Sequence, residues 1–588
     1  MKKLQFYSSL LTTILAINIF SPILVNANEI PNNNETINEN LDIISSRKSD
    51  IDFLMKTLES SHPNIYSKND KSIFQKKISE IELKLKDMND FEFAVALSEL
   101  VALVGDSHTS IVFGDLVNSV HMIPISLDVV EEGLVIVAME EKYKHLLGGI
   151  LTSINGIPIS EIKQRLTPMI SYDNDIYLEK QFVSIFYVYE ILKYYNIVDS
   201  LENISLGINI NGNVENINVN ALDRKSLSNV SVSRLEIPYF ETQLDKSKLY
   251  FYKVLDNNTL YIQYNSCRED ENLPMEVFAN QINDILNEND YNKVILDLRY
   301  NGGGSDGVIR PLMYLLEEKA TQEGLQLYTL IGSRTFSSAL INSVMMKEIG
   351  STIVGTPTGG SVDHFGQVSD FELPNSKVRV TYSNKFIELF PLLKSAEKYD
   401  VEPFLPDISV EQTLEDYLLG KDSVVNYVLS DKYSSNKETN ITRSKLAVEL
   451  GRHYIEYTGN KMENLDNNFE DVSMFSYIAP YVSWANSNNI MVGENEKIFS
   501  PNKYITRAEL AVVLCRYAEL LGVDLSNINK NFEEILDIKD VDLWEESSVK
   551  LLGGSYIFPL ENGMFKPNEI VSIEEFNNIL NKFKSLLI

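Results

Sequence analysis

Gly332-Ser333-Arg334-Thr335-Phe336-Ser337-Ser338-Ala339 joins an extended apolar run to a helical one. Upstream, Leu325, Leu327 and Thr329 alternate as strand positions do; downstream, Leu340, Ile341, Val344, Met345 and Ile349 recur at helical spacing. A strand that passes abruptly into a helix is half of a β-α-β unit. A serine at the junction stands where the first helical amides converge, which suits a cap or a nucleophile whose oxyanion those amides stabilise. The companions of Ser337 decide between the two.

Outward from this stretch the texture repeats. Leu260-Tyr261-Ile262-Gln263-Tyr264 alternates as a strand, Val277 to Leu286 reads as a helix, and Val294-Ile295-Leu296-Asp297-Leu298 reads as a buried strand. That strand ends in Arg299-Tyr300-Asn301-Gly302-Gly303-Gly304, where missing side chains let backbone amides approach a ligand closely. No Gly-Lys-Ser/Thr follows, which argues against a phosphate loop. A further helix, the opening turn, its helix and Thr352-Ile353-Val354-Gly355 complete the pattern. Consecutive β-α-β units place the turns after their strands on one rim, so the glycine turn and Ser337 are expected side by side.

The chain has 588 residues, enough for several domains, and its 44% hydrophobic and 10% aromatic content is that of folded protein. A formal net charge of -31 argues against a nucleic-acid partner, which needs clustered Lys and Arg, and favours a soluble protein in salty or extracellular surroundings. Met1-Lys2-Lys3, the apolar run Leu10 to Leu24 and Val25-Asn26-Ala27 have the pattern of a secretory signal cleaved after Ala27. No later segment is apolar enough to cross a bilayer. Cys267 and Cys515 are too far apart to suggest a disulfide framework.

Residues 28–45 are rich in Asn and Glu and read as a flexible leader. Three helices are expected next: about Asp50 to Ser61 with Phe53, Leu54 and Leu58 inward, stopped by His62-Pro63; one with Ile73, Phe74, Ile78, Ile81 and Leu85 on one face; and one capped at Asn89-Asp90 whose stripe ends at Gly105. Asp106-Ser107-His108-Thr109 follows as a polar loop before Ile111-Val112-Phe113. From Ile123 to about Leu222, short alternating runs indicate a small β-rich domain, in which Ile154-Asn155-Gly156-Ile157-Pro158 is similar to the strand and turn of a PDZ-like module. A linker is expected from Lys225 to Lys246.

Taken together, Asp297-Leu298-Arg299 with Asn301-Gly302-Gly303-Gly304, the Thr335-Phe336-Ser337-Ser338-Ala339 turn, Gly355-Thr356-Pro357-Thr358-Gly359-Gly360 and Pro406-Asp407-Ile408 resemble the tail-specific, or C-terminal processing, serine proteases. The likeness spans about residues 46–430. It implies a multidomain α/β fold: a crotonase-like ββα spiral protease core (247–430), an N-terminal helical cap (46–115) and the PDZ-like β-rich domain (116–225).

The best-known branch draws its base from a lysine after the Pro-Thr turn; here Ser361 stands at that position and no lysine follows until Lys377. A second branch, similar to the tricorn core, uses a histidine in an early Asp-x-His motif. The resemblance then implies Ser337 as nucleophile, His108 as general base, Ser107 beside it, and Asp400 or Glu402 as the acidic member of the relay. Histidine titrates near physiological pH, which suits the exchange. His364, in Asp363-His364-Phe365-Gly366, is the rival base. The expected oxyanion donors are the amides of Ser338 and of Gly302 or Gly303, and no cofactor or metal is implied. The other reading is a protease-like chain that has lost activity and binds peptides or scaffolds the cell envelope.

Past a linker at 431–440 a repeat appears in residues 441–588. Ile441-Thr442-Arg443-Ser444-Lys445-Leu446-Ala447 is echoed by Ile505-Thr506-Arg507-Ala508-Glu509-Leu510-Ala511 and, faintly, by Val571-Ser572-Ile573-Glu574-Glu575-Phe576. The units resemble S-layer homology repeats, which implies secondary cell-wall polysaccharide as partner, Thr506 and Arg507 as its contacts, and a place on the cell surface. The third copy lacks the Thr-Arg pair.

Overall fold

The computed structural model describes residues 38–239, 242–255, 258–389, 403–430, 440–460 and, within 469–586, all but 473–475, 477, 526–527 and 529–534. The signal, most of the leader, the core of the last linker, Asp400 and Glu402 lie outside the described residues. Among the described residues no helix is long and apolar enough to cross a membrane.

Three helices open the chain: α1 (Asn38–Ser61), α2 (Lys71–Glu82) and α3 (Asp90–Ala102). The first starts inside the expected leader and stops immediately before His62-Pro63. The third begins with a full capping box, Asn89 accepting from the Glu92 amide while the Glu92 side chain accepts from the Asn89 amide. Leu54, Leu58, Phe74, Ile81 and Leu85 are buried, as their periodicity predicts, but Phe53 and Ile73 are exposed at 41% and 43%. Phe53 instead meets Phe371 edge-on at 5.9 Å, capping the surface of another layer.

After β1 (Ser110–Val112) comes a seven-stranded antiparallel sheet: β2 (Ile125–Val130), β3 (Gly133–Glu140), β4 (Ile150–Ile154), β5 (Ile157–Pro158), β6 (Ile204–Ile210), β7 (Asn213–Val219) and β8 (Val232–Arg234), with the helix α4 (Asp175–Ile185) before β6. Asn155 and Gly156 take positive φ, 49° and 76°, and so form the tight connection that pairs Ile154 with Ile157. Strand β8 falls inside the stretch expected as a linker and pairs with β3, so this sheet extends past residue 225.

The next sheet has six strands: β9 (Tyr250–Leu255), β10 (Thr259–Tyr264), β11 (Lys293–Asp297), β12 (Gln326–Ile331), β13 (Thr352–Gly355) and the short β16 (Ile408–Ser409), in the order β16-β13-β12-β11-β10-β9. All pairings are parallel except that of β9. Helices α5 (Met275–Glu288), α6 (Arg310–Glu323) and α7 (Ser338–Glu348) bridge successive strands and pack on one face over Leu260, Ile262 and Leu296. The alternate residues Tyr261, Ile295, Tyr328 and Leu330 face the other way, against Val424, Val425 and Val428 of α8 (Ser423–Ser430). Both faces are thus covered, which explains why these strands read as apolar runs.

A third sheet joins the layers. In it β15 (Arg379–Ile387) lies between β14 (His364–Glu372) and β1, and Ile111 pairs with Val380. Three residues of the N-terminal region, placed there by backbone pairing, carry the Asp106-His108 loop onto the core.

The C-terminal repeats close on themselves. The Ile441 amide donates to the Val571 carbonyl (3.0 Å), Ile505 to Ile441 (3.1 Å) and Val571 to Ile505 (3.0 Å), a ring that uses one residue from each copy. Beyond it run α9 (Arg443–Thr458), α10 (Arg507–Leu520) and α11 (Ile573–Lys584), capped by Thr442, Thr506 and Ser572 respectively. Serine replaces threonine in the third copy without loss of the cap. The array docks on α6, where Arg452 pairs bidentately with Glu318 at 2.7 and 2.8 Å and Ser476 bonds Glu317.

Candidate active site

Ser337 stands between β12 and α7 with φ 53° and ψ -127°, a conformation that costs a non-glycine residue about 1–3 kcal/mol. Neighbouring bonds hold it there. The Thr335 hydroxyl donates to the Leu298 carbonyl (2.9 Å) and accepts from the Gly332 amide (3.0 Å), and the Phe336 amide donates to the Asn301 carbonyl (3.1 Å). The side chain of Ser337 makes no capping bond, although it occupies the N-cap position. That of Ser338 donates to the Gly304 carbonyl at 2.8 Å. Of the two serines, only Ser337 keeps its hydroxyl uncommitted among the described residues.

The glycine turn lies against this serine. Gly303 has φ 106°, and a Cβ there would come within 2.9 Å of the Ser337 Cβ and 3.0 Å of the Phe336 carbonyl oxygen. The Gly303 amide donates to the Asn301 side-chain carbonyl at 2.9 Å, while Asn301 donates to the Tyr264 carbonyl. Gly303 therefore serves close approach, and with its amide engaged by Asn301, Gly302 is the better placed of the two expected donors. The amides of Gly302 and Ser338 have no partner among the described residues.

His108 arrives from the loop before β1. Its ring is buried and stacks on Phe336, the residue before Ser337, with centroids 4.5 Å apart. Among the described residues neither ring nitrogen has a hydrogen-bond partner. Asp106 organises the loop: its carboxylate accepts from the His108 amide (2.9 Å), from the Ser383 hydroxyl of β15 (2.7 Å) and from Thr109, and lies 3.7 Å from His108 Nδ1. Burial alone would raise the Asp106 pKa, but the nearby His108 ring, with hydrogen bonds from His62 and Thr109, holds the carboxyl well below the usual range.

His62 completes this group. The Asn64 amide donates to its Nδ1 (3.1 Å), so Nε2 carries the proton and donates to Asp106 at 3.3 Å. In the sequence His62 showed only as a helix stop beside proline; nothing in its spacing pointed to Asp106.

His364 also reaches the site, with its ring 5.7 Å from that of His108. Burial, with the neighbouring His108 charge, lowers its pKa to about 4, and its Nδ1 faces the Val362 carbonyl at 3.2 Å. Ser361, at the position aligned with the lysine, is buried and accepts from Asn174 Nδ2 at 2.9 Å. Ser107 is turned to Asp173, to whose carboxylate its hydroxyl donates, rather than to His108. Among the described residues no group of three His, Cys, Asp or Glu is placed to hold a metal ion.

In the repeats, Thr506 accepts the Glu509 amide as helix cap. Arg507 is 6% exposed, its guanidinium pairing with Glu575 and donating to the Phe565 carbonyl at 2.8 Å. Both residues expected as polysaccharide contacts thus make structural bonds at the ring joining the copies. A groove beside them is lined by Arg443, Lys503, Glu509, Arg516 and the half-exposed indole of Trp544.

Residues 468–511 match the S-layer homology domain. A cellulosome-anchoring protein of Acetivibrio thermocellus is 25% identical over 147 residues, which cover 25% of this chain and 32% of that protein. The chain thus spans about a third of the length of the curated relative that it matches. Among solved structures, mature CPAF is similar over 66% of this chain and 96% of its own, at 13% identity and TM-score 0.47. The photosystem II D1 C-terminal processing protease is similar over 64% and 98%, at 11% identity and TM-score 0.31. The tricorn protease is similar over 66% and 36%, at 15% identity and TM-score 0.31. Two of these neighbours are named as proteases, and the chain carries an S-layer homology domain. The chemistry of the site stands on its own geometry.

Proposed function

We propose that this chain is an exported, wall-anchored serine peptidase that cleaves peptide bonds by acyl transfer to Ser337. The observation that carries the reading is the strained Ser337 backbone, held at a strand-to-helix turn with its hydroxyl outside any cap. In this mechanism His108 takes the Ser337 proton as Oγ attacks the scissile carbonyl carbon, and the amides of Gly302 and Ser338 receive the oxyanion. His108 then protonates the leaving amine, and a water activated the same way releases the acid. The base is worth about 10² to 10⁴ in rate, and each oxyanion donor about 2.7 to 4 kcal/mol.

His108 is favoured over His364 because it stacks directly on Phe336 and has the Asp106 carboxylate beside it, whereas a histidine with a pKa near 4 is a weak base. Asp106, braced by His62, Thr109 and Ser383, is the positioning residue in this reading, and Asp400 or Glu402 remains the proposed acidic partner from the later loop. The domain plan in this reading is a signal to residue 27, a helical cap, a PDZ-like domain whose sheet runs on to Arg234, a crotonase-like core and the repeats. The repeats hold the enzyme to secondary cell-wall polysaccharide, with the Trp544 groove now the better-placed contact. Peptide hydrolysis by wild type and Ser337→Ala tests the reading; equal rates would leave the inactive, peptide-binding alternative.

A further inference from the structure

A recess opens beside the nucleophile turn, between β2 and α4, on the side where Arg334 projects. Its walls include Leu127 and Phe186, and three cations line it: Lys180 from α4, Lys246 and Arg334. Lys180 is half-buried and places its ammonium 5.4 Å from the centre of the Phe336 ring and 5.1 Å from that of Tyr177, which itself stacks on Phe336 at 4.8 Å. The recess therefore adjoins Ser337 through the residue that His108 also touches.

None of the three cations makes an ion pair or hydrogen bond among the described residues, in a chain with 83 acidic side chains against 52 basic ones. The single carboxylate of the recess, Asp128, is engaged by the Tyr417 hydroxyl at 3.0 Å and by the Val129 amide at 2.9 Å. Burial and then the charge of Arg334 push Lys180 down to about 8 and lower Lys246 as well, with Asp128 acting on Lys246 in the opposite sense. Three cations, one half-buried and two exposed, thus face one already engaged carboxylate, an excess of like charge that an incoming anion relieves.

We infer that this recess receives a carboxylate of the peptide substrate, with Arg334 and Lys246 as specificity residues one pocket away from the scissile bond. The anion is carried on an extended apolar peptide, since the walls between the charges are aliphatic and aromatic. Arg334 offers two parallel donors to a carboxylate, and the lysines add charge. The inference rests on the peptidase reading for its substrate but is measured apart from catalysis.

The test is fluorescence anisotropy with full-length Ser337→Ala protein and four N-terminally labelled apolar peptides. Two carry one internal Glu or its Gln isostere, with amidated ends; two carry a free or an amidated C-terminus and no acidic residue. The expected result is binding at least about tenfold tighter for the acid of one pair, and loss of that difference in Lys246→Ala/Arg334→Ala, two exposed positions, with an unchanged melt as the check on folding. Preference in the first pair identifies a reader of acidic side chains, and in the second a reader of chain ends. Equal affinities within both pairs, or a preference that survives the double substitution, would overturn the inference. Failure of wild-type protein to cleave any of the four would instead count against the peptidase.

Discussion

His364 and His108 share one small space in different surroundings, and the proposed mechanism gives them different work. A neutral, buried His364 fits a wall of the site, and this has a thermodynamic signature. Its folded pKa of about 4 lies below the ordinary value of 6.5, so the unfolded chain binds a proton that the folded one refuses. Stability from this group is complete above pH 6.5, falls by up to about 1.4 kcal/mol per pH unit as pH drops toward 4, and levels off below that. Denaturant melts of wild type and His364→Phe between pH 7 and 4 are expected to converge on acidification, as wild type alone loses this contribution; parallel curves would remove the buried neutral histidine. In turnover the order reverses. His108→Ala is expected to lower kcat by about 10² to 10⁴, and His364→Ala by less than tenfold. Near-normal turnover in the first with abolition in the second would exchange their roles.

At the scale of elements, two turns and one strand pair make the site. The glycine turn is pressed against Ser337 so closely that Gly303→Ala places a methyl within 2.9 Å of the Ser337 Cβ at a φ of 106°. That change is expected to reduce kcat at least a hundredfold and destabilise by about 1–3 kcal/mol, read by steady-state kinetics and thermal melts. A variant with wild-type kcat would mean that the turns are not tightly apposed. Much of this was legible beforehand: β-α periodicity put Gly302-Gly303-Gly304 and Ser337 after adjacent parallel strands, and so on one rim. Which amide was free was not, because Asn301 turns its side chain back to the Gly303 amide, a choice of rotamer that spacing does not encode. The Asp106-His108 loop was visible as a motif, but its delivery depends on β1 pairing with β15, a contact between segments hundreds of residues apart. Phe53 and Ile73 were read as core because their own helices supply the periodicity; the layers they meet do not continue over them.

At the scale of the whole molecule, the repeats and the α/β body are joined by side-chain contacts. Arg452 holds Glu318 on α6, the helix that follows the glycine turn. The repeats themselves were recognisable from Thr-Arg copies at 442 and 506, yet the same residues proved to cap and brace rather than project. Full-length protein is expected to sediment with purified cell-wall sacculi, and Trp544→Ala to weaken that binding several-fold; retention in the supernatant would remove the anchor. Arg507→Ala is expected instead to destabilise the repeats by about 1–3 kcal/mol, because it removes the buried donor to the Phe565 carbonyl along with the pair to the part-exposed Glu575. A shift in sacculus binding without a shift in melting would return Arg507 to the ligand surface. The central claim is narrower than either end of the chain: a serine activated by a histidine from another sheet. It is tested most directly by fluorophosphonate labelling of the full-length protein followed by peptide mapping. The account predicts the label on Ser337, with labelling slowed at least a hundredfold in His108→Ala; a label on Ser338, or one indifferent to His108, would contradict it.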